Sequence, residues 1–192
     1  MDTIATKPKV SHSCCSPSDK DGSNNDCGCD TDSERSETPC PICGQKGMTV
    51  REITPRSTLK AQYRPLVRDD TRYHFCETTE CLVVYYHGAD QGNVPGSIFT
   101  MDQLINRVTV KDDDPTTPLC YCFKVCKGEA LAEIGEKGTV DIKGLMNRRR
   151  KPGQSCFCEK SNPRGHCCTG DIKGWLADQG VIVESDEDIC DC

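Results

Sequence analysis

The chain has 192 residues, 17 of them Cys, with 35% apolar and 5% aromatic residues and a formal charge of −6. So little apolar material excludes a large conventional core, and a chain this rich in Cys takes its stability from disulfides or bound metal. The acidic balance and the scarcity of aromatic side chains speak against a nucleic-acid binder.

Residues 1–10 hold no apolar stretch of the kind that directs secretion, and the longest strongly apolar run, 82–86, is too short to span a membrane. The expected location is the cytoplasm, without membrane insertion. Thiols stay reduced there unless a metal takes them, so metal ligation is the first reading of the Cys inventory and a disulfide framework the second. Residues 1–39 carry a net charge of −4 and 184–192 one of −5, which leaves the middle at +3. Both ends are rich in Ser, Asp and Asn and read as disordered tails. They contain Cys14, Cys15, Cys27, Cys29, Cys190 and Cys192, soft thiolate pairs suited to Cu⁺ or a similar ion.

Between the tails the expected fold is α+β. A small β-rich zinc-binding domain covers 40–111 and a second metal domain of short helices covers 112–183, divided at the charged, Pro-punctuated stretch 111–118. In the first, 47–53 and 74–87 read as β and 101–107 as a short helical turn. In the second, 128–136 sets Ala130, Leu131 and Ile134 on one helical face, 140–150 does so with Ile142, Leu145 and Met146, and 171–179 with Ile172, Trp175 and Leu176. Helices this short do not stand alone in water.

Cys40-Pro-Ile-Cys43-Gly44 offers two thiolates on a tight turn, half of a tetrahedral site, and Cys76 and Cys81 on a hairpin close it. Four thiolates with no water position describe a structural Zn²⁺. His74, two residues before Cys76, is a candidate replacement ligand, although a strand His is the plainer reading. A second group follows: Cys120-Tyr-Cys122, Cys126, then Cys156-Phe-Cys158 and Cys167-Cys168. The Cys-x-Cys spacing suits thiolates meeting the irons of a binuclear cluster better than a zinc knuckle, a second zinc site being the alternative. Seven Cys for four positions leave the ligand set open.

Cys-Pro-x-Cys, the segment from Tyr73 to Tyr86, Pro118-Leu-Cys-Tyr-Cys122 and Cys158-x₃-Asn-Pro-x-Gly-x-Cys-Cys168 together resemble the amino-terminal metal domain of CopZ-type copper chaperones over about residues 40–177. The resemblance implies a zinc site and a [2Fe–2S] cluster, the cluster half being a ferredoxin-like helix-turn-helix similar to bacterioferritin-associated ferredoxin. It makes Cys40, Cys43, Cys76 and Cys81 the zinc ligands and Cys120, Cys122, Cys158 and Cys168 the cluster ligands, with Cys156 and Cys167 as alternates. It also implies a copper-transporting ATPase or another metal-handling protein as partner, together with an electron donor. The family continues into a heavy-metal-associated domain that carries Cu⁺, and this sequence ends soon after its last expected helix. The tail thiols are either its substitute or non-selective thiols of an acidic tail, since softness alone does not select a metal.

The expected function is that of a zinc and [2Fe–2S] metallochaperone-like protein, a one-electron carrier that reduces and binds copper or another soft ion. The sequence contains no Ser/His/Asp set, phosphate-cradling loop or dinucleotide fingerprint that would mark an enzyme with an organic substrate. The alternatives are a zinc-ribbon regulatory or interaction module, in which Arg148 to Lys151 and Arg164 would meet phosphate, and a redox or metal sensor.

Overall fold

The computed structural model describes residues 35–88 and 94–183 together with Ile189, and all of them belong to one compact unit. It is a mixed helix-and-sheet structure, as the α+β expectation holds. Strands β1 (Arg35–Pro39), β2 (Lys46–Val50), β3 (Tyr73–Phe75), β4 (Val83–Tyr86) and β5 (Ile98–Thr100) form one antiparallel sheet in chain order. Helix α1 (Ile53–Thr58) lies in the connection between β2 and β3. Strands β3 and β4 are buried along their whole length, which is why 83–86 reads as a continuous apolar run without alternation, whereas Leu82 just before β4 is exposed. Gly47 is required by this packing: a Cβ there would stand 2.2 Å from the Phe75 carbonyl oxygen.

The second half is built on the hairpin β6 (Pro118–Cys120) and β7 (Val125–Cys126), with Lys124 turning it at a left-handed φ of 58°. Helices α2 (Lys127–Lys137), α3 (Ile142–Arg149) and α5 (Thr169–Asp178) contribute Ala130, Ile142, Leu145, Met146, Ile172, Trp175 and Leu176 to one core with Leu119 and Val125 of the hairpin. Helix α2 ends on Gly138 in the left-handed conformation, and Asp141 caps α3 by accepting the Gly144 N–H at 2.7 Å. A single turn, α4 (Cys158–Ser161), packs against α1. Among the described residues no helix is long and apolar enough to cross a membrane.

Several expectations change. Residues 35–39, inside the expected tail, form strand β1 and pair with β2. Ile189, in the other expected tail, is buried against the α2–α3–α5 core; the remainder of both tails lies outside the described residues. Leu131 is 38% exposed: α2 turns Ala130 inward and leaves Leu131 at the rim. The stretch 111–118 is not a free linker. The Lys127 ammonium is buried and donates to the carbonyls of Thr109 and Asp112, each at 2.9 Å, and to Asp113 at 2.8 Å, so the segment's backbone is satisfied from inside the protein.

Tyrosine hydroxyls brace this thin core. Tyr73 donates to the Gly96 carbonyl, Tyr86 to that of Thr38 and Tyr121 to that of Arg107. Tyr85, fully buried between the halves, donates to the Pro163 carbonyl at 2.9 Å and lies 2.8 Å from the Thr58 hydroxyl. Tyr85→Phe strands that carbonyl and is expected to cost about 1–3 kcal/mol, read as a lowered midpoint of urea unfolding; an unchanged midpoint would refute the bracing role.

Candidate metal centres

The first centre lies at one end of the five-stranded sheet. The turn from β1 to β2 is closed by the Cys40 N–H donating to Gln45 and the Gly44 N–H to Cys40, at 2.9 and 2.8 Å, with Gly44 at φ 72°. That turn aims the amides of Ile42 and Cys43 at the Cys40 sulfur and the amide of Gln45 at the Cys43 sulfur. A matching turn joins β3 to β4, where the Cys81 N–H donates to Thr78 at 3.1 Å and the Thr78 amide meets the Cys76 sulfur. The four Sγ atoms of Cys40, Cys43, Cys76 and Cys81 fall within 4.8 Å of one another, with Cys40–Cys81 at 3.9 Å and Cys43–Cys76 at 3.6 Å. Sulfurs about 2.3 Å from a tetrahedral zinc are separated by about 3.8 Å, so this donor set fits Zn²⁺ with no water position.

The thiols are unequal. Burial pushes Cys76 up to about 12 and raises Cys40. At Cys43 burial also acts upward, but hydrogen bonds with the Thr78 hydroxyl, the Gln45 amide and the Cys76 thiol outweigh it and bring the pKa to about 6. The hydrogen bonds thus favour the thiolate at Cys43, whereas burial favours the thiol form of Cys40 and Cys76 until metal enters. Lys111, almost fully buried, donates to the carbonyls of Thr78 and Cys81, the latter at 2.9 Å, and its charge favours the Cys76 thiolate. His74 is outside this group of four sulfurs; its ring is buried against Tyr86, 5.2 Å between centroids.

The second centre gathers six thiols. Cys120 and Cys122 come from the β6–β7 hairpin and the other four from 156–168. Cys122, Cys156 and Cys158 lie within 4.8 Å of one another, with Cys122–Cys158 at 3.6 Å. Cys120 hydrogen-bonds with Cys168, and Cys158 with both Cys167 and Cys168. The Cys158 bond, then those from Ser161 and the Phe157 N–H, lower Cys122 to about 6 against the effect of burial. Mutual hydrogen bonds among the sulfurs raise Cys158 and Cys168 and lower Cys167, whereas burial pushes Cys156 up to about 11. Cys126 stands apart as the residue preceding α2, its N–H held by Glu129 at 3.0 Å. The six tail thiols at 14, 15, 27, 29, 190 and 192 lie outside the described residues.

One residue joins the two centres. Arg164, between Cys158 and Cys168, pairs through Nη1 with Asp171 of α5 and through Nη2 with Glu77 of the Cys76–Cys81 turn, and its guanidinium lies 6.0 Å from the Phe75 ring centroid. In the alternative reading of the sequence Arg164 would meet phosphate; the acids that claim it are 87 and 7 residues away. The neighbouring basic run is also engaged: Arg148 pairs with Glu133 at 3.7 Å, Arg149 with Glu129 at 2.5 Å, and Arg150 covers the Phe123 ring at 4.7 Å. Neither Lys111 nor Lys127 stood out in the sequence, since only long-range folding takes a lysine out of water.

Two substitutions probe these supports. Arg164→Gln leaves the Asp171 carboxylate, 2% exposed, without its cation; it is expected to destabilise the metal-loaded protein by about 3 kcal/mol in urea unfolding, and a loss below about 1 kcal/mol would dismiss the pair as incidental. Lys111→Ala removes the donor from two carbonyls of the thiolate turn and is expected to weaken zinc about 10–100-fold in chelator competition. Unaltered competition would show that the lysine acts on packing alone.

Comparison with known proteins agrees with this geometry. Residues 37–97 match the CopZ-type family described as a zinc binding domain. The copper chaperone CopZ of Archaeoglobus fulgidus is 29% identical over 132 residues, 67% of this chain and 57% of the relative, so the match spans little more than half of that protein. The X-ray structure of the A. fulgidus CopZ N-terminal domain superimposes with a TM-score of 0.56 at 25% identity, covering 76% of this chain and all of that one. Residues 37–97 thus resemble the CopZ-type zinc binding domain, and the chain's fold is similar to that of the chaperone's N-terminal domain.

Proposed function

We propose that this chain is a cytoplasmic, zinc-stabilised one-electron carrier that serves the handling of copper or another soft ion, with a [2Fe–2S] cluster held by Cys120, Cys122, Cys158 and Cys168. The observation that carries this reading is the convergence of the hairpin thiols on those of 156–168, with Cys122 against Cys158 and Cys120 against Cys168. Such a donor set, contributed pairwise from two segments, fits a binuclear cluster, which when bound supplies one-electron chemistry, the difference between Cu²⁺ and the Cu⁺ that thiolates hold.

The chain's own residues do the rest. Ser161 and the Phe157 N–H hydrogen-bond with the Cys122 sulfur and hold negative charge there. Leu119, Ile172 and Leu176 keep water from the inner side, whereas Phe157, 49% exposed, marks the side on which an electron donor or an ion-receiving partner can approach. In this reading the zinc half is structural, the tail thiols bind the soft ion, and a copper-transporting ATPase or similar protein is the recipient.

Anaerobic purification and reconstitution test the proposal. Iron and acid-labile sulfide are expected at about two each per chain beside one zinc, with a rhombic EPR signal on reduction and Cu⁺ formed from Cu²⁺ as that signal disappears. A protein that binds zinc at both thiol centres and takes up no iron or sulfide would defeat it.

A further inference from the structure

The second thiol centre holds more sulfur than a binuclear cluster takes. Four Cys complete such a group, yet six thiols converge here, and the surplus falls on one side. The hairpin supplies Cys120 and Cys122 and no reserve, since the next thiol along the chain, Cys126, stands apart beside Glu129. Across from them each sulfur has a companion. Cys156 lies within 4.8 Å of both Cys122 and Cys158, and Cys167 hydrogen-bonds with both Cys158 and Cys168. The companions are close in sequence as well, two residues before Cys158 and one before Cys168, and both are half-buried, within reach of the water that must accept a thiol proton. Cys156 sits in irregular backbone just ahead of α4 and Cys167 just ahead of α5, so neither is fixed by a helix ladder.

Resting on the function proposed above, we infer that the two hairpin ligand positions are fixed and the two opposite positions are exchangeable, with Cys156 standing in for Cys158 and Cys167 for Cys168. In an exchange the incoming thiol gives its proton to water as its sulfur binds iron, and the departing thiolate takes a proton up. One Fe–S bond forms, one breaks, and no electron moves. The site then keeps its cofactor after chemical loss of one thiol on that side, with changed surroundings for the irons and hence a changed potential.

The test uses the full chain, reconstituted anaerobically with iron and sulfide, and reads metal content and EPR. Cys158→Ala and Cys168→Ala are each expected to keep at least about half of the parent's iron and sulfide, with shifted EPR g values. Cys120→Ala and Cys122→Ala are expected to fall below about a tenth. The double replacements Cys156→Ala with Cys158→Ala, and Cys167→Ala with Cys168→Ala, are expected to lose the group as completely as the hairpin variants. Retained zinc shows that each variant is folded, and Ser replacements take the place of any Ala variant that loses it. The inference is overturned if Cys158 and Cys168 variants lose the cluster as fully as the hairpin variants while keeping zinc. A parent protein that takes up neither iron nor sulfide would instead overturn the function on which the inference rests.

Discussion

Arg164 is folded into the seam between two thiol centres, with Glu77 on one side, Asp171 on the other and the Phe75 ring nearby. Three cations are folded inside, and of these Lys111 acts on a thiolate, that of Cys76, whereas Lys127 and Arg164 are engaged by carbonyls and carboxylates. Lys111 is turned onto the carbonyls of the Cys76–Cys81 turn, Lys127 onto those of the segment before the hairpin, and Arg164 links the zinc turn to the helix that follows Cys168. Each is nearly surrounded by protein, where a charge is tolerated only with partners at hydrogen-bond distance. These contacts fix how the zinc half meets the thiol-rich half, because all three side chains reach carbonyls or carboxylates of segments distant in sequence.

The same shortage of apolar residues explains the tyrosines. Tyr73, Tyr85, Tyr86 and Tyr121 are all buried, and each hydroxyl donates to a main-chain carbonyl far along the chain. A tyrosine fills volume as a phenylalanine does and also ties down one polar backbone group. With four such ties, irregular segments such as 107–109 and 163–165 are held without regular secondary structure of their own. Burial raises the pKa of all four hydroxyls, so they remain neutral donors through the physiological range.

What the sequence made legible follows from the range of each interaction. The Cys40–Cys43 and Cys76–Cys81 pairs are local signals, since a tight turn between two thiols limits what they can do, and the structure draws their four sulfurs together. Helices α2, α3 and α5 were visible through the 3.6-residue recurrence of their apolar residues. Strand β5 and helices α1 and α4 were not, being three to six residues long and held by tertiary packing. The stretch 111–118 looked like a linker because its composition is charged and Pro-rich. Composition does not show that the Lys127 ammonium will be buried and donate to the Asp112 carbonyl and the Asp113 carboxylate. Ile189 was obscured by the acidic residues around it, though its own side chain is buried in the core.

The seam has a consequence for maturation in the cell. Glu77 sits in the Cys76–Cys81 turn, which a zinc ion on the four sulfurs would close at both ends, and Arg164 depends on Glu77 for one of its two anchors. A newly made chain without zinc therefore presents the segment from Cys158 to Cys168 with one anchor missing, and its thiols are more open to oxidation and to mistaken metals. Under the function proposed above, zinc supply would set how many of the second centres are correctly filled, and scarcity of one element would register as failure to use another.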